Sequence, residues 1–171
     1  LIFLEKGKLI IIVTSTSAHD VKNRRNDHLH LRSASLRIFL GTQIRQFFFS
    51  KFRRRIKEIP ANAKVNIIID DVLLEPEFLQ DYLTVFKGVN VLFVGVRCDL
   101  ASIDVREQQR PGRFPGTAYG HFKSCHAHGL YDVEVDTGAL SPSDCTQRVE
   151  RALQADDNTA FNTLRAKTSA D

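Results

Sequence analysis

Two adjacent carboxylates, Asp70 and Asp71, are the residues of this sequence best placed to do chemistry. They follow residues 65–69, a mostly β-branched run that is too short for a helix and too continuously apolar for a half-exposed strand. Such a run is typical of a central parallel strand, and ligands of open α/β sheets bind beyond the carboxyl ends of the strands. An acid at that place can hold Mg²⁺ beside the phosphates of a nucleotide. A strand that ends in two solvated acids is the alternative, and this stretch alone does not decide between them.

A second candidate group is the arginine pair Arg110 and Arg113. It lies beside residues 111–116, where two prolines and two glycines predict a loop after a helix. The spacing of three places both guanidinium groups on one side of a helical turn, where they can clamp a polyphosphate. Ordinary arginines on a surface loop are the alternative interpretation.

The elements around these residues alternate between apolar runs and helical patterns. Strands are predicted at residues 9–13, 65–69, 89–96 and 131–135, and helices at 42–59, 76–86, 99–110, 119–128 and 141–153. A strand, a helix and a strand with connections of this length form a crossover, which makes the sheet parallel. The pattern therefore predicts an α/β fold with a mainly parallel central sheet and helices on both faces.

The two ends of the chain are less regular. Residues 18–40 have no sustained period, and residues 154–171 have so little apolar periodicity that we expect a frayed tail. The length of 171 residues is enough for one domain, predicted at residues 1–153 with an atypical segment at 1–40. His28 and His30 share a face of a strand if one forms, but no third ligand stands near them in sequence, so a solvated loop is favoured over a metal site.

Composition predicts a soluble protein of a reducing cytoplasm. The three cysteines are an odd number and lack CxxC spacing, and charged residues interrupt the apolar opening, which fits neither a membrane span nor a signal peptide. The net charge of +4 is modest, and the basic run at residues 53–55 fits the outer face of the helix predicted at 42–59. We therefore expect neither nucleic acid nor a membrane as a partner.

Five motifs occur together and in order: IIIDDVLL, VLFVGVRCDL, RE followed by RPGR, CHAHGLYDVEVDT and SPSDC. With them, residues 64–153 resemble the chloramphenicol phosphotransferase family, a branch of the P-loop kinases. The resemblance implies a three-layer P-loop-kinase-like fold and an ATP-dependent O-phosphotransferase that uses Mg²⁺ and acts on a small-molecule hydroxyl. It also implies a metal-binding, Walker-B-like acid at Asp70 and catalytic, phosphate-binding arginines at Arg110 and Arg113. His126 matches a histidine that precedes the closing strand.

The family's phosphate-binding loop and catalytic base have no clear counterpart in this sequence. No GxxxxGK[ST] motif follows the strand at 9–13, since Gly7-Lys8 precedes that strand, and Asp27 matches the family's base too weakly to be given a role. Losing two or three charge-assisted phosphate contacts costs on the order of 4 kcal/mol, about a thousandfold in affinity. The sequence therefore predicts weak or no binding of Mg·ATP, and a non-catalytic relative that keeps the fold is the alternative to an active kinase.

Overall fold

The computed structural model describes residues 9–14, 35–39, 66–109 and 116–169. Within these ranges the strands are β1 (Leu9–Thr14), β2 (Ser35–Phe39), β3 (Asn66–Asp71), β4 (Val91–Arg97) and β5 (Val133–Asp136). The helices are α1 (Pro76–Val85), α2 (Leu100–Gln108), α3 (Thr117–Phe122), α4 (Pro142–Ala155) and α5 (Ala160–Thr168).

The strands form one sheet in the order β2-β3-β1-β4-β5, and every neighbouring pair is parallel. The strand predicted around residues 65–69 lies inside the sheet, between β1 and β2, as its continuous apolar character indicated. The strand predicted at 131–135 forms the edge strand β5. The prediction that these four runs share one parallel sheet is confirmed.

Helices pack on both faces of this sheet, as predicted. Side chains alternate along a strand, so Ile11 and Phe93 contribute to the core on the face covered by α1 and α5. Ile10 and Leu92 contribute to the other face, where Leu153 of α4 packs against them. The structure is therefore the three-layer arrangement that the alternating pattern indicated.

Two helices begin next to residues whose side chains cap them. Ser141 accepts a hydrogen bond from the amide of Asp144 through Oγ at 3.2 Å, and a proline occupies the first turn of α4. At the start of α2, Oδ1 of Asp99 accepts from the amide of Ser102 at 2.8 Å. These contacts satisfy amides that a helix start leaves unpaired. In the described part of the chain, none of the helices is long and apolar enough to span a bilayer.

Within the described residues, the structure differs from the predicted elements at three places. The described part of the predicted tail, residues 154–169, is not frayed, because α5 buries Ala160, Phe161 and Leu164, which are 2, 4 and 7% exposed. A strand, β2, forms within the segment 18–40 that showed no period, since its backbone pairs with β3. The helix predicted at 119–128 ends at Phe122 and continues as turns, while the helix predicted at 42–59 lies outside the described residues.

Candidate active site at the carboxyl edge of the sheet

Because all strands are parallel, their carboxyl ends meet at one edge of the sheet. This edge carries Asp70 and Asp71 at the end of β3, Arg97 at the end of β4 and Asp136 at the end of β5. Strand β1 lies between β3 and β4, and its described residues end at Thr14. Residues 15–17, where a phosphate-binding loop begins in proteins of this type, lie outside the described residues.

Asp71 is the structural member of the acidic pair. Its side chain is buried, with Oδ1 accepting from the amide of Val72 at 2.7 Å and Oδ2 accepting from the hydroxyl of Tyr82 at 2.9 Å. Tyr82 belongs to α1, so the carboxylate fastens this helix to the end of β3. A group enclosed in this way is not accessible to a ligand, which leaves Asp70 as the candidate of the pair.

Asp70 is partly exposed and lies in register with Ile12 of β1 and Phe39 of β2. Neighbouring residues of a strand point to opposite faces, so the two acids do not act as one carboxylate pair. The position is the one predicted for a Walker-B-like acid. Whether Asp70 binds a metal stays a prediction.

The carboxylate of Asp70 fits Mg²⁺ in one particular mode. Across the described ranges 9–14, 35–39, 66–109 and 116–169, no three His, Cys, Asp or Glu side chains converge as a metal site. Mg²⁺ is often held by one or two carboxylates, with substrate phosphates and water completing its octahedron. Asp70 is thus suited to hold Mg²⁺ together with a nucleotide rather than as a resident ion.

Arg110 and Arg113 lie outside the described residues, but the chain on either side of them is described. Just before them, Arg106 of α2 donates from Nη1 to Oγ1 of Thr137 at 3.0 Å and from Nη2 to the carbonyl of Thr137 at 2.7 Å. Just after them, the amide of Gly116 donates to Oε2 of Glu107 at 2.9 Å. Described residues on both sides of positions 110–115 are therefore held by contacts with other parts of the fold.

At the end of β4, the side chain of Arg97 contacts both Glu134 and the ring of Tyr131. Nε of Arg97 donates to Oε1 of Glu134 at 2.8 Å, and the guanidinium carbon lies 5.5 Å from the centre of the Tyr131 ring. The ring packs so closely over Gly95 that a Cβ at that glycine would lie 2.7 Å from Cδ2 of the tyrosine. Sequence patterns did not single out Arg97 or Arg106, although Arg106 belongs to the RE motif.

His126, which matched a family histidine, is buried beside Tyr131. Its Nδ1 lies 2.5 Å from the hydroxyl of Tyr131, and the residue is 9% exposed. Burial, followed by the positive charge of Arg97, lowers the pKa of His126 from 6.5 to about 4, and burial and the neighbouring His126 lower the pKa of His128 to about 4. Both rings are therefore neutral near pH 7. Within the part of the chain that the structure describes, Nε2 of each ring is buried and has no hydrogen-bond partner.

The order of these motifs and the fold that carries them match a known family. The family described as chloramphenicol phosphotransferase-like protein matches residues 19–154. The chain belongs to this family. The matched range includes Asp70, Arg110 and Arg113 of this chain, and it also contains Glu107 and Gly116.

Two relatives and one solved structure add to this assignment. Two Mycobacterium tuberculosis proteins, each named "Putative O-phosphotransferase", are 36% identical over 104 residues, which covers 60% of this chain and 46% of theirs. The chain thus spans about half the length of the curated relatives it matches. The crystal structure of a gluconokinase from Sinorhizobium meliloti 1021 aligns with a TM-score of 0.55 and 12% identity over 92% of this chain and 95% of that one. This likeness shows the fold alone, and it confirms the predicted P-loop-kinase-like class.

Proposed function

We propose that this chain transfers the γ-phosphoryl group of ATP to a hydroxyl of a small molecule. The observation that carries the proposal is the position of Asp70, a partly exposed acid at the carboxyl edge of a parallel sheet in the order β2-β3-β1-β4-β5. Membership of a phosphotransferase-like family supports it, and so does the name of the mycobacterial relatives. Family membership supports phosphoryl transfer in general, and the use of ATP and Mg²⁺ is part of our proposal.

In the proposed reaction the acceptor oxygen bonds to the γ-phosphorus while the bond from that phosphorus to the β–γ bridging oxygen breaks. The hydroxyl proton passes to a base or to solvent, and ADP leaves with the bridging oxygen. Little covalent work falls to the protein, because phosphoryl transfer depends mainly on positioning and on neutralising charge. The residues needed are therefore a metal ligand and mobile cations.

Asp70 would hold Mg²⁺, which supplies neutralisation of the phosphate charge when it is bound with the nucleotide. Arg110 and Arg113 would donate to phosphate oxygens from the segment between α2 and α3, since guanidinium groups make paired hydrogen bonds with phosphate. Buried Asp71 would not touch the reactants. Its contribution is to hold α1 against β3 and so to fix the backbone next to Asp70.

A non-catalytic relative is the second candidate, and the missing GxxxxGK[ST] motif favours it. A chain of this kind would keep the sheet and the helices, because their core does not depend on phosphate ligands. It would neither bind Mg·ATP nor transfer phosphate. The two candidates therefore differ in a property that one assay measures.

The test compares the wild-type chain with Asp70→Asn and with the matched control Asp157→Asn, an exposed acid beside the end of α4. Radiolabelled ATP at millimolar concentration and chloramphenicol as the probe acceptor are incubated with Mg²⁺, and labelled product is separated by chromatography. We expect transfer by the wild type and the control and at least a tenfold loss in Asp70→Asn, since the substitution keeps the size and removes the charge.

Transfer by the wild type that Asp70→Asn leaves unchanged would refute the role of Asp70. If chloramphenicol is not phosphorylated, release of labelled phosphate from ATP reports the same machinery with water as acceptor. If neither product forms and a titration of the chain with Mg·ATP detects no binding, the non-catalytic candidate is correct.

A further inference from the structure

The side chain of Arg106, near the end of α2, lies across the carboxyl ends of β4 and β5. Its Nη1 donates to Sγ of Cys98 at 3.2 Å and to Oγ1 of Thr137 at 3.0 Å, and Nη2 donates to the carbonyl of Thr137 at 2.7 Å. Thr137 is itself fixed, because its amide and its hydroxyl donate to the carbonyl of Arg97 at 2.8 and 3.1 Å. The guanidinium group of Arg106 is therefore held in a defined orientation at the edge of the sheet that carries the candidate site.

These contacts decide what Arg106 can still recognise. The fork formed by Nη1 and Nη2, with which a free guanidinium clamps phosphate, is turned toward Cys98 and Thr137. None of the three acceptors is a carboxylate, whereas the neighbouring Arg97 pairs with Glu134. Arg106 is nevertheless exposed, and hydrogen bonds in the plane of a guanidinium group leave its two flat faces for other contacts. The residue is thus suited to stack on a planar ring.

The position of Arg106 fits the nucleoside end of a nucleotide whose phosphates lie beside Asp70. Strand β3, which carries Asp70, is two strand spacings from β4 and three from β5 in the sheet order. At about 4.8 Å for each spacing, Arg106 lies roughly 10–14 Å from Asp70 along the edge. The terminal phosphate and the base of an extended nucleoside triphosphate are a comparable distance apart.

We propose that Arg106 binds the base of the nucleotide by stacking the face of its guanidinium group on the ring, and that this contact does not distinguish adenine from guanine. The inference rests on the proposed function, because it places the phosphates beside Asp70. Guanidinium planes stack on the bases of nucleic acids. Every base has a π-face, so stacking tolerates different bases, whereas selection between them needs hydrogen bonds to their edges.

The experiment measures the affinities of Mg·ATP, Mg·GTP and Mg·tripolyphosphate by titration with phosphorus NMR, which suits millimolar binding. The wild type is compared with Arg106→Lys, Arg106→Gln and a control on α4, Arg151→Gln, an exposed arginine whose Nε donates to a carbonyl of its own helix. Lysine keeps the positive charge and can donate to Thr137, but it has no flat face. Tripolyphosphate carries phosphates without a base, so it separates base contacts from phosphate contacts.

We expect both Arg106 variants to raise the dissociation constants of Mg·ATP and Mg·GTP by about fivefold to tenfold, because one stacked base contributes an interaction of this size. The factor should be the same for the two nucleotides. The dissociation constant of Mg·tripolyphosphate should stay within about twofold of the wild-type value in both variants. Arg151→Gln should change none of the three affinities.

Three results would overturn the inference and leave the proposed function intact. Unchanged nucleotide affinity in both Arg106 variants would show that the base does not contact this residue, and a loss in Arg106→Gln that Arg106→Lys restores would make charge decisive instead of stacking. An equal loss for Mg·tripolyphosphate would show that Arg106 acts on the phosphates or on the fold. A wild type that binds none of the three ligands would refute the proposed function and this inference together.

Discussion

Acid should destabilise this protein through His126 and His128. Both rings pack against Tyr131, at 5.6 and 4.7 Å between ring centres, and His128 also stacks on Phe93 at 5.2 Å. The charges that face them are Arg97 and Glu134, and Arg97 opposes protonation of both rings. A proton on either imidazole would place a charge in an aromatic environment beside an existing cation.

The lowered pKa values determine the direction in which folding stability changes with pH. Unfolded histidine takes up a proton near pH 6.5, whereas the pKa of each folded ring is about 4. Between these values the unfolded chain binds more protons, so the stability contributed by neutral histidine is complete above pH 6.5 and is lost as the pH falls toward 4.

The same pKa values give the size of the stability loss at pH 5. For His126, a pKa lowered from 6.5 to about 4 makes the free energy of unfolding about 2 kcal/mol smaller at pH 5 than above pH 6.5. His128 is only half-buried and should contribute less, so the pair accounts for about 3 kcal/mol. For a chain of this length that is a fall of about 6–12 °C in melting temperature.

The assay is urea unfolding at pH 7.5 and pH 5, followed by circular dichroism, on the wild type and on the double variant His126→Gln/His128→Phe. Glutamine can still accept from Tyr131, and phenylalanine keeps the ring packing. The wild type should lose about 3 kcal/mol more than the double variant between the two pH values. Equal losses in the wild type and the double variant would refute the reasoning.

Three further substitutions test packing and the predicted phosphate ligands. Asp132→Ala should destabilise by about 2–4 kcal/mol in urea unfolding, since Asp132 accepts from three backbone amides at 2.7–2.8 Å, whereas Asp157→Ala should change little. Gly95→Ala should cost about 1–3 kcal/mol, because the new Cβ would meet a ring carbon at 2.7 Å; the open site Gly120 provides the control, and an equal effect of both changes would contradict the argument. Arg113→Ala should weaken Mg·ATP binding at least tenfold with a nearly unchanged melting temperature, and the reverse pattern would make this arginine structural.

Much of the fold could be predicted because local signals and tertiary structure agree. Strand β3 coincides with a β-branched run, and α2 and α4 begin one residue after the starts predicted at 99 and 141, where Asp99 and Ser141 cap them. In each case the decisive interaction lies within three or four residues along the chain. The same locality allowed Asp70 to be placed at the end of a buried strand.

The missed elements depend on distant residues. Helix α5 starts where Asp132, 27 residues away, accepts from the amide of Thr159, so a frayed tail was the better local prediction. Strand β2 is stabilised by its pairing with β3, and no alternation of apolar and polar residues in its own sequence predicts it. Secondary structure stabilised by a remote partner leaves little trace in its own sequence.

The same reason limits what could be predicted of the candidate site. Nothing local distinguishes Asp71 from Asp70, and the structural role of Asp71 becomes visible only with the hydroxyl of Tyr82 at 2.9 Å. The contact of Glu107 with Gly116 joins the two sides of a segment that sequence patterns treat as a loop. The spacing of Arg110 and Arg113 predicts phosphate binding, and that assignment stays a prediction.

Direct titration of this chain with Mg·ATP, coupled to an assay of phosphoryl transfer at millimolar ATP, tests the central claim. The account predicts a dissociation constant about a thousandfold weaker than the micromolar range, because the phosphate-binding motif is missing, together with transfer that Asp70→Asn reduces at least tenfold. A low micromolar constant would show that another segment, such as residues 14–17, forms a phosphate cradle. Transfer that Asp70→Asn leaves unchanged, or no transfer by the wild-type chain at millimolar ATP, would contradict the account.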